Sequence, residues 1–267
     1  MSSSDGIIPA SLWQQVAQFA HKDGKSDYLR LHRRRFAATM QALAAPAGAR
    51  VLEVGVTPGQ FTQLLVGMGY HVRGVDLDPS TRQALWQHLG VEVWPINLEH
   101  EGLPFADQTF DRIVFAEVIE HLVYSPLPVL REFQRVLVDG GKLVITTPND
   151  LYAKSRLLTL ARLCCWQSLT PTAEFRQQML LEGTARYTTH SRTYTMSEVC
   201  WLVQQAGLRV IQRQFVPARE LVGLEAGRVE RHPLRTLAKA ALAAWTATIP
   251  ATRSMLLVVA ERAPIIR

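Results

Sequence analysis

Two glutamates and a histidine crowd the segment Glu117-Val118-Ile119-Glu120-His121, and a second histidine, His190, lies far along the chain. If a helical turn begins at Glu117, the side chains of Glu117, Glu120 and His121 fall at i, i+3 and i+4 and share a face. Two carboxylates and an imidazole suit a hard divalent ion such as Mg²⁺ or Mn²⁺, and His190 would complete the ligand set. Without an ion, Glu117, His121 or His190 could take a proton from a hydroxyl, the histidines being the side chains that titrate near neutral pH. A third role is structural, with His121 bonding the backbone and Glu120 facing solvent. The residue types leave all three open.

A second chemical signal lies upstream, in Val51-Leu52-Glu53-Val54-Gly55-Val56-Thr57-Pro58-Gly59-Gln60. Glycines where a strand gives way to a helix let the backbone approach a ligand and expose the amides of the helix start. Such spacing also arises for packing alone. Asp76 adds to it: it ends the next apolar run, 23 residues after Glu53, near the roughly 20-residue offset at which a carboxylate accepts hydrogen bonds from a ribose. The two together point to a nucleoside site.

The elements that must position these residues alternate in type. Ser11 to Ala45 reads as one or two helices, with Leu29, Leu31, Phe36, Met40 and Leu43 near helical spacing and Ala45-Pro46 as the stop. From Arg50, apolar strands (Val51 to Val54, His71 to Val75, Arg112 to Ala116, Lys142 to Thr146) alternate with helices (Phe61 to Met68, Ser80 to Leu89, Leu127 to Val138), and Asp139-Gly140-Gly141 reads as a turn. That rhythm predicts a doubly wound parallel sheet. Residues 151–190 interrupt it with the apolar run Leu157 to Trp166 and a helical stretch Ala173 to Leu181, which together read as an inserted lid. Thr195 and Glu198 form a capping box for a helix Met196 to Gln205, ended by Gly207. A strand Leu208 to Phe215, a helix Leu234 to Thr248 and a last strand Met255 to Ala260 follow.

In this order the segments resemble the class I S-adenosylmethionine-dependent methyltransferase family, closely over residues 48–150 and more loosely over 190–216. The resemblance is carried by Val51 to Gly59, Gly74-Val75-Asp76, Leu103-Pro104-Phe105 with Phe110-Asp111, Glu117 to His121, Leu130 to Gly141, and Thr147-Pro148-Asn149. It implies one Rossmann-like α/β domain over 1–267, with a mostly parallel seven-stranded sheet whose last strand is antiparallel. An N-terminal helical cap (1–47), a cofactor-binding half (48–150), a helical lid (151–190) and a C-terminal, acceptor-side part (191–267) would make up the domain. For S-adenosylmethionine it implies Glu53 at the methionyl end, Gly55 and Gly59 in close approach, Asp76 on the ribose, Asn97 and Leu98 beside the adenine, and Phe115 with Ala116 under the sulfonium. Leu98 reads equally as a core leucine. Two positions depart from the family pattern: Thr57 replaces the middle glycine, where a β-branched residue resists positive φ, and Asn97 replaces an acid, though its amide still offers donors and an acceptor. The Glu-x-x-Glu-His run with His190 ahead of Tyr194-Thr195 also resembles the small-RNA 2′-O-methyltransferases, which implies a metal on Glu117, Glu120, His121 and His190 that lowers the pKa of an acceptor hydroxyl.

Composition bounds these readings. The chain has 267 residues, 48% hydrophobic and 19% charged, enough apolar surface for an extensive core. Cys164, Cys165 and Cys200 are odd in number and lack metal-site spacing, which fits a reducing compartment. The first residues lack a secretory pattern, and no apolar run reaches the ~18 residues of a membrane span, so a cytoplasmic protein is expected. The net charge is +6, and its densest cluster, Arg30, His32, Arg33, Arg34 and Arg35, is either a solvated helix face or an anion-facing one. In the lid, Leu157, Leu158, Ala161 and Cys165 form one helix face flanked by Arg156 and Arg162, which either packs on the core or meets an apolar, lipid-linked acceptor at a membrane surface. O-methylation of a small molecule, glycan or lipid-linked acceptor is the first functional expectation and RNA 2′-O-methylation the second. A non-catalytic cofactor-binding module, suggested by Thr57 and Asn97, is the third. A dinucleotide oxidoreductase fits poorly, because the glycine loop lacks the full GxGxxG pattern and holds Pro58 in its interior.

Overall fold

The computed structural model describes residues 6–164, 173–220 and 233–263. Two helices, α1 (Ala10–Lys22) and α2 (Ser26–Leu43), precede the first strand. The alternation then runs β1 (Arg50–Val54), α3 (Gln60–Gly67), β2 (His71–Asp76), α4 (Gln83–Leu89), β3 (Glu92–Pro95), β4 (Phe110–Ala116), α5 (Leu127–Val136) and β5 (Leu137–Pro148). After it come α6 (Ala153–Cys164), α7 (Ala173–Met179), α8 (Met196–Gln205), β6 (Leu208–Val216), α9 (Pro233–Thr248) and β7 (Met255–Arg262).

The seven strands form one sheet in the order β3-β2-β1-β4-β5-β7-β6. The first five are mutually parallel, and β7 runs antiparallel to both β5 and β6. Strand alternation sends successive residues to opposite faces. Val51, Val114 and Val144 pack under the α1–α3 layer with Trp13, Phe36 and Met40, whereas Leu52, Phe115 and Ile145 pack under α5 and α8 with Phe133 and Val199. The parallel strands are thus buried on both faces and read as near-continuous apolar runs.

Local differences from the expected elements have local causes. Asp139-Gly140-Gly141 is no separate turn. It bulges within β5, where the pairing to β4 jumps between the partners of Phe110 and Arg112 and Gly140 takes φ 73°. The capping box of α8 forms as expected, Thr195 and Glu198 each bonding the other's backbone N–H. Residues 151–190, expected as a lid, hold α6, α7 and a 3₁₀ turn at Gly183–Thr188 among the described residues. Leu157, Leu158, Leu160 and Leu163 do not pack on the core: all four are exposed, and among the described residues of α6 Ala153 alone is buried. Cys165 and Trp166, also expected in this apolar run, lie outside the described residues. Among the described residues, no helix is long and apolar enough to cross a membrane.

Candidate active site

The carboxyl ends of β1, β2 and β4 open onto two adjoining cavities of about 160 and 540 Å³ that share Gly55, Thr57, Asp76, Glu117 and Val118. Crevices beyond the carboxyl ends of parallel strands are where α/β folds bind ligands. In the loop after β1 only Gly55 and Gly59 take positive φ, 78° and 93°. A Cβ on Gly55 would lie 2.6 Å from Val118, and one on Gly59 2.4 Å from Leu85. Thr57 escapes the expected conflict, because the left-handed residues are its glycine neighbours; its N–H donates to the Asp76 carboxylate at 3.0 Å. The other Asp76 oxygen accepts from the Asp78 N–H at 3.2 Å, so the carboxylate stands at the mouth of both cavities.

The smaller cavity lies beneath α2. Period-two alternation turns Glu53 to the same sheet face as Val51, toward that helix. Glu53 is 4% exposed, and one of its carboxylate oxygens has no partner. Burial pushes its pKa up to about 8; the Thr62 hydroxyl opposes the shift, nearby Asp76 adds to it and Arg35 opposes it. Arg35 enters from α2, 5% exposed, lining the cavity with Glu53 and Gly55. Its guanidinium lies 3.8 Å from Glu117, donates to Tyr28 Oη at 3.3 Å, and leaves Nε without a partner.

The basic cluster read from the sequence therefore divides. Arg33 stacks on Trp13 at 4.7 Å, Arg30 pairs with Asp27, and Arg35 faces the cavity. In the sequence Arg35 stands only as one member of that basic cluster, although it shares a buried helix face with Phe36, Thr39 and Leu43. That spacing was the available signal.

The larger cavity holds Asn97 and Leu98, with Thr184, Tyr187 and Thr188 from the lid's 3₁₀ turn opposite. Asn97 Nδ2 donates to Tyr187 Oη at 3.3 Å, while its Oδ1 accepts from Glu99 N–H. Leu98 lines this cavity and also packs on the core. Phe115 corrects the expectation. It is 0% exposed, its ring 4.9 Å from Phe133 on the sheet face away from α2, and its strand neighbours Val114 and Ala116 reach the smaller cavity instead.

The expected helical turn at Glu117 also differs. Glu117 takes φ 57° while its N–H bonds Thr146 O at 2.8 Å, so the chain reverses there and only Ile119–His121 forms one 3₁₀ turn. Glu117 consequently turns back toward Arg35 and lines both cavities, rather than sharing a face with Glu120 and His121. Glu120 is fully buried and accepts from the Thr147 hydroxyl at 2.9 Å, its other oxygen unpartnered. Burial and then the charge of Glu117 raise its pKa.

Hydrogen bonds from Ser191 and Arg192 N–H to the Glu120 carbonyl fasten the segment after the lid here and bring in His190. His121 and His190 meet edge to face at 4.8 Å. Glu120, His121 and His190 each offer a ligand atom, all within 4.8 Å of one another. His121 Nδ1 lies 3.0 Å from Thr189 O; a carbonyl can only accept, so Nδ1 carries the proton and Nε2 keeps its lone pair. Burial, then His121, then Arg219 lower the His190 pKa.

The sequence model of the methyltransferase domain family matches residues 28–213. A ubiquinone biosynthesis O-methyltransferase of Xanthomonas axonopodis pv. citri is 30% identical over 176 residues, covering 64% of this chain and 67% of its own. The protein of that name from Xylella fastidiosa strain 9a5c is 29% identical over 168 residues, 61% of this chain and 62% of its own. Alignments to such relatives span from 56 to 67% of the relatives' lengths. Among solved structures, a putative methyltransferase of Haloferax volcanii in complex with the Trm112 activator superposes at TM-score 0.59 with 16% identity, covering 94% of this chain and 96% of that one. The [4+2]-cyclase SpnF does so at 0.55 with 17% identity, covering 86% and 81%. At such identities the structural likeness speaks for the fold alone. The family match spans more than half of the chain and includes every residue of both cavities, and the chain belongs to the class I S-adenosylmethionine-dependent methyltransferases.

Proposed function

We propose that this chain methylates a hydroxyl oxygen of a small molecule, with Asp76 on the cofactor's ribose and Asn97 beside its adenine. The observation that carries the reading is the presence of both Arg35 and Glu53 on the smaller cavity, which shares Glu117 with the larger cavity that His121 lines. A guanidinium with a free Nε and a buried carboxyl with a free oxygen match the carboxylate and ammonium of an amino acid. They leave the sulfonium toward Ala116 and Glu117. The relatives' name, O-methyltransferase, supports oxygen as the acceptor atom.

S-adenosylmethionine supplies a methyl group on a positively charged sulfur, which leaves as a neutral thioether when the acceptor oxygen attacks in line. What remains for the protein is alignment, exclusion of water and removal of the hydroxyl proton. The Thr189 carbonyl holds His121 as the Nδ1–H tautomer, which presents Nε2 as a base. His190, its pKa lowered by burial first and then by His121 and Arg219, stays neutral and able to accept a proton at neutral pH. Glu117, tethered to Arg35, would orient the acceptor between the cavities.

The donor set of Glu120, His121 and His190 also fits a divalent ion, since a buried carboxylate oxygen without a partner and two imidazoles converge there. Such an ion would polarise the acceptor oxygen. The RNA reading shares this cluster but loses support at Glu117, which faces Arg35 instead. Thr57 and Asn97 no longer favour a non-catalytic module, because neither blocks its cavity.

Titration calorimetry with S-adenosylmethionine and NAD, followed by transfer assays on phenolic, aliphatic-hydroxyl and amine compounds, tests the reading. Cofactor binding with transfer to hydroxyls is expected; transfer to amines alone would refute oxygen as the acceptor. Activity abolished by a chelator and restored by Mg²⁺ or Mn²⁺ would assign the ion. Full activity in excess chelator would leave the histidines as the base.

A further inference from the structure

Exposed apolar residues lie on both α6 and α9. Leu157 is 60% exposed, and Leu160 and Leu163, at three-residue spacing, are similarly so. On α9, Leu237 is 68% and Trp245 54% exposed, eight residues apart, and exposed Ile249 follows just past the helix end. The two helices touch, so these residues belong to one side of the molecule. Exposed apolar surface of this extent in a chain with a well-filled core marks an interaction site.

Charge identifies the partner. α6 carries Lys154, Arg156 and Arg162 and no acid; Arg156 pairs with Asp150, while Lys154 and Arg162 are exposed. We propose that the joined apolar faces of α6 and α9 seat on an anionic lipid surface, the leucines and Trp245 entering the headgroup boundary while Lys154 and Arg162 meet lipid phosphates. Apolar area and attraction to anionic lipid act together in such seating, and tryptophan favours that boundary. A second copy of the chain would bring the same positive charge to the same face, and like charges oppose that pairing. Since no described helix is able to cross a bilayer, the contact is peripheral.

This goes beyond the proposed reaction and is tested without any acceptor. The full chain is sedimented with phosphatidylcholine vesicles that contain or lack phosphatidylglycerol, at physiological and at high salt. Pelleting with the anionic vesicles is expected, reduced at high salt. The double substitution Leu157→Glu with Leu160→Glu should lower vesicle affinity by more than about tenfold. Because both sites are exposed, thermal midpoint and cofactor affinity should be kept. Lys154→Glu with Arg162→Glu should weaken binding while sparing the leucines. A chain that stays in the supernatant with anionic vesicles overturns the proposal, as does pelleting that neither pair of substitutions reduces. So does a dimer in light scattering that Leu157→Glu disperses in a chain that binds no vesicles.

Discussion

Glu53 is held where its charged form is disfavoured, and that has two readable consequences. In the free protein its carboxyl, up at about 8, keeps a proton that the unfolded chain releases above its ordinary pKa of 4.5. The folded state then binds more protons than the unfolded one across that window, so this residue's contribution to stability falls as pH rises from about 4.5 to 8. Thermal midpoints measured against pH should show a steeper decline in the wild type than in Glu53→Gln; parallel curves would mean that Glu53 is ionised when buried. If the cofactor's ammonium sits at the free oxygen of Glu53, the carboxyl ionises on binding. Binding should therefore release a proton below about pH 8, visible as a calorimetric heat that depends on the buffer's ionisation enthalpy. Asp76 stands in a half-open site and already accepts from two backbone N–H groups. Asp76→Ala should weaken S-adenosylmethionine binding by roughly 1.5–3 kcal/mol through lost charge-assisted hydrogen bonds, and an unchanged dissociation constant would remove it from the ribose site. Arg35→Met should weaken S-adenosylmethionine more than 5′-methylthioadenosine, which lacks the amino-acid end; equal losses would assign Arg35 to packing.

Loop backbone, more than side-chain identity, makes room for the cofactor, and the two glycines after β1 show how. At Gly55 a methyl group would meet Val118 at 2.6 Å in a left-handed conformation. Gly55→Ala should destabilise the fold by about 1–3 kcal/mol through strain and displacement of the Val118 segment, read from urea midpoints, and cofactor affinity should drop with it. Much of this framework was legible in the sequence. Strands with unbroken apolar character, the capping box at Thr195 and the spacing from Glu53 to Asp76 are local signals, and the structure has them in the expected places. What was hidden depends on pairing between distant segments. The pairing of β4 and β5 absorbs Gly140 into a bulge and reverses the chain at Glu117, which separates Glu117 from Glu120 and His121. Likewise Phe115 could be assigned to the face away from α2 only once the strand's alternation was set against the helix covering it. The His121 and His190 contact arises from the Glu120 carbonyl accepting from two N–H groups of a distant segment, those of Ser191 and Arg192.

At the scale of the whole molecule, the lid has two ends with different partners. Its 3₁₀ turn at Gly183–Thr188 lines the larger cavity, is tied to Asn97 through Tyr187, and passes directly into the segment bonded to Glu120. Its first helix, α6, is exposed along nearly its whole length. A ligand that fills the larger cavity adds partners to the turn and none to α6. Amides that sample open states exchange according to local rather than global stability. Hydrogen exchange should therefore slow at residues 183–190 when S-adenosylhomocysteine is added, while residues 154–164 remain fast. Anionic vesicles alone should produce the opposite pattern, slowing 154–164 and leaving 183–190 unchanged. Protection of both stretches by S-adenosylhomocysteine alone would mean that the lid moves as one body coupled to the cofactor site. Protection of neither would place the adenine elsewhere than beside Asn97 and Tyr187.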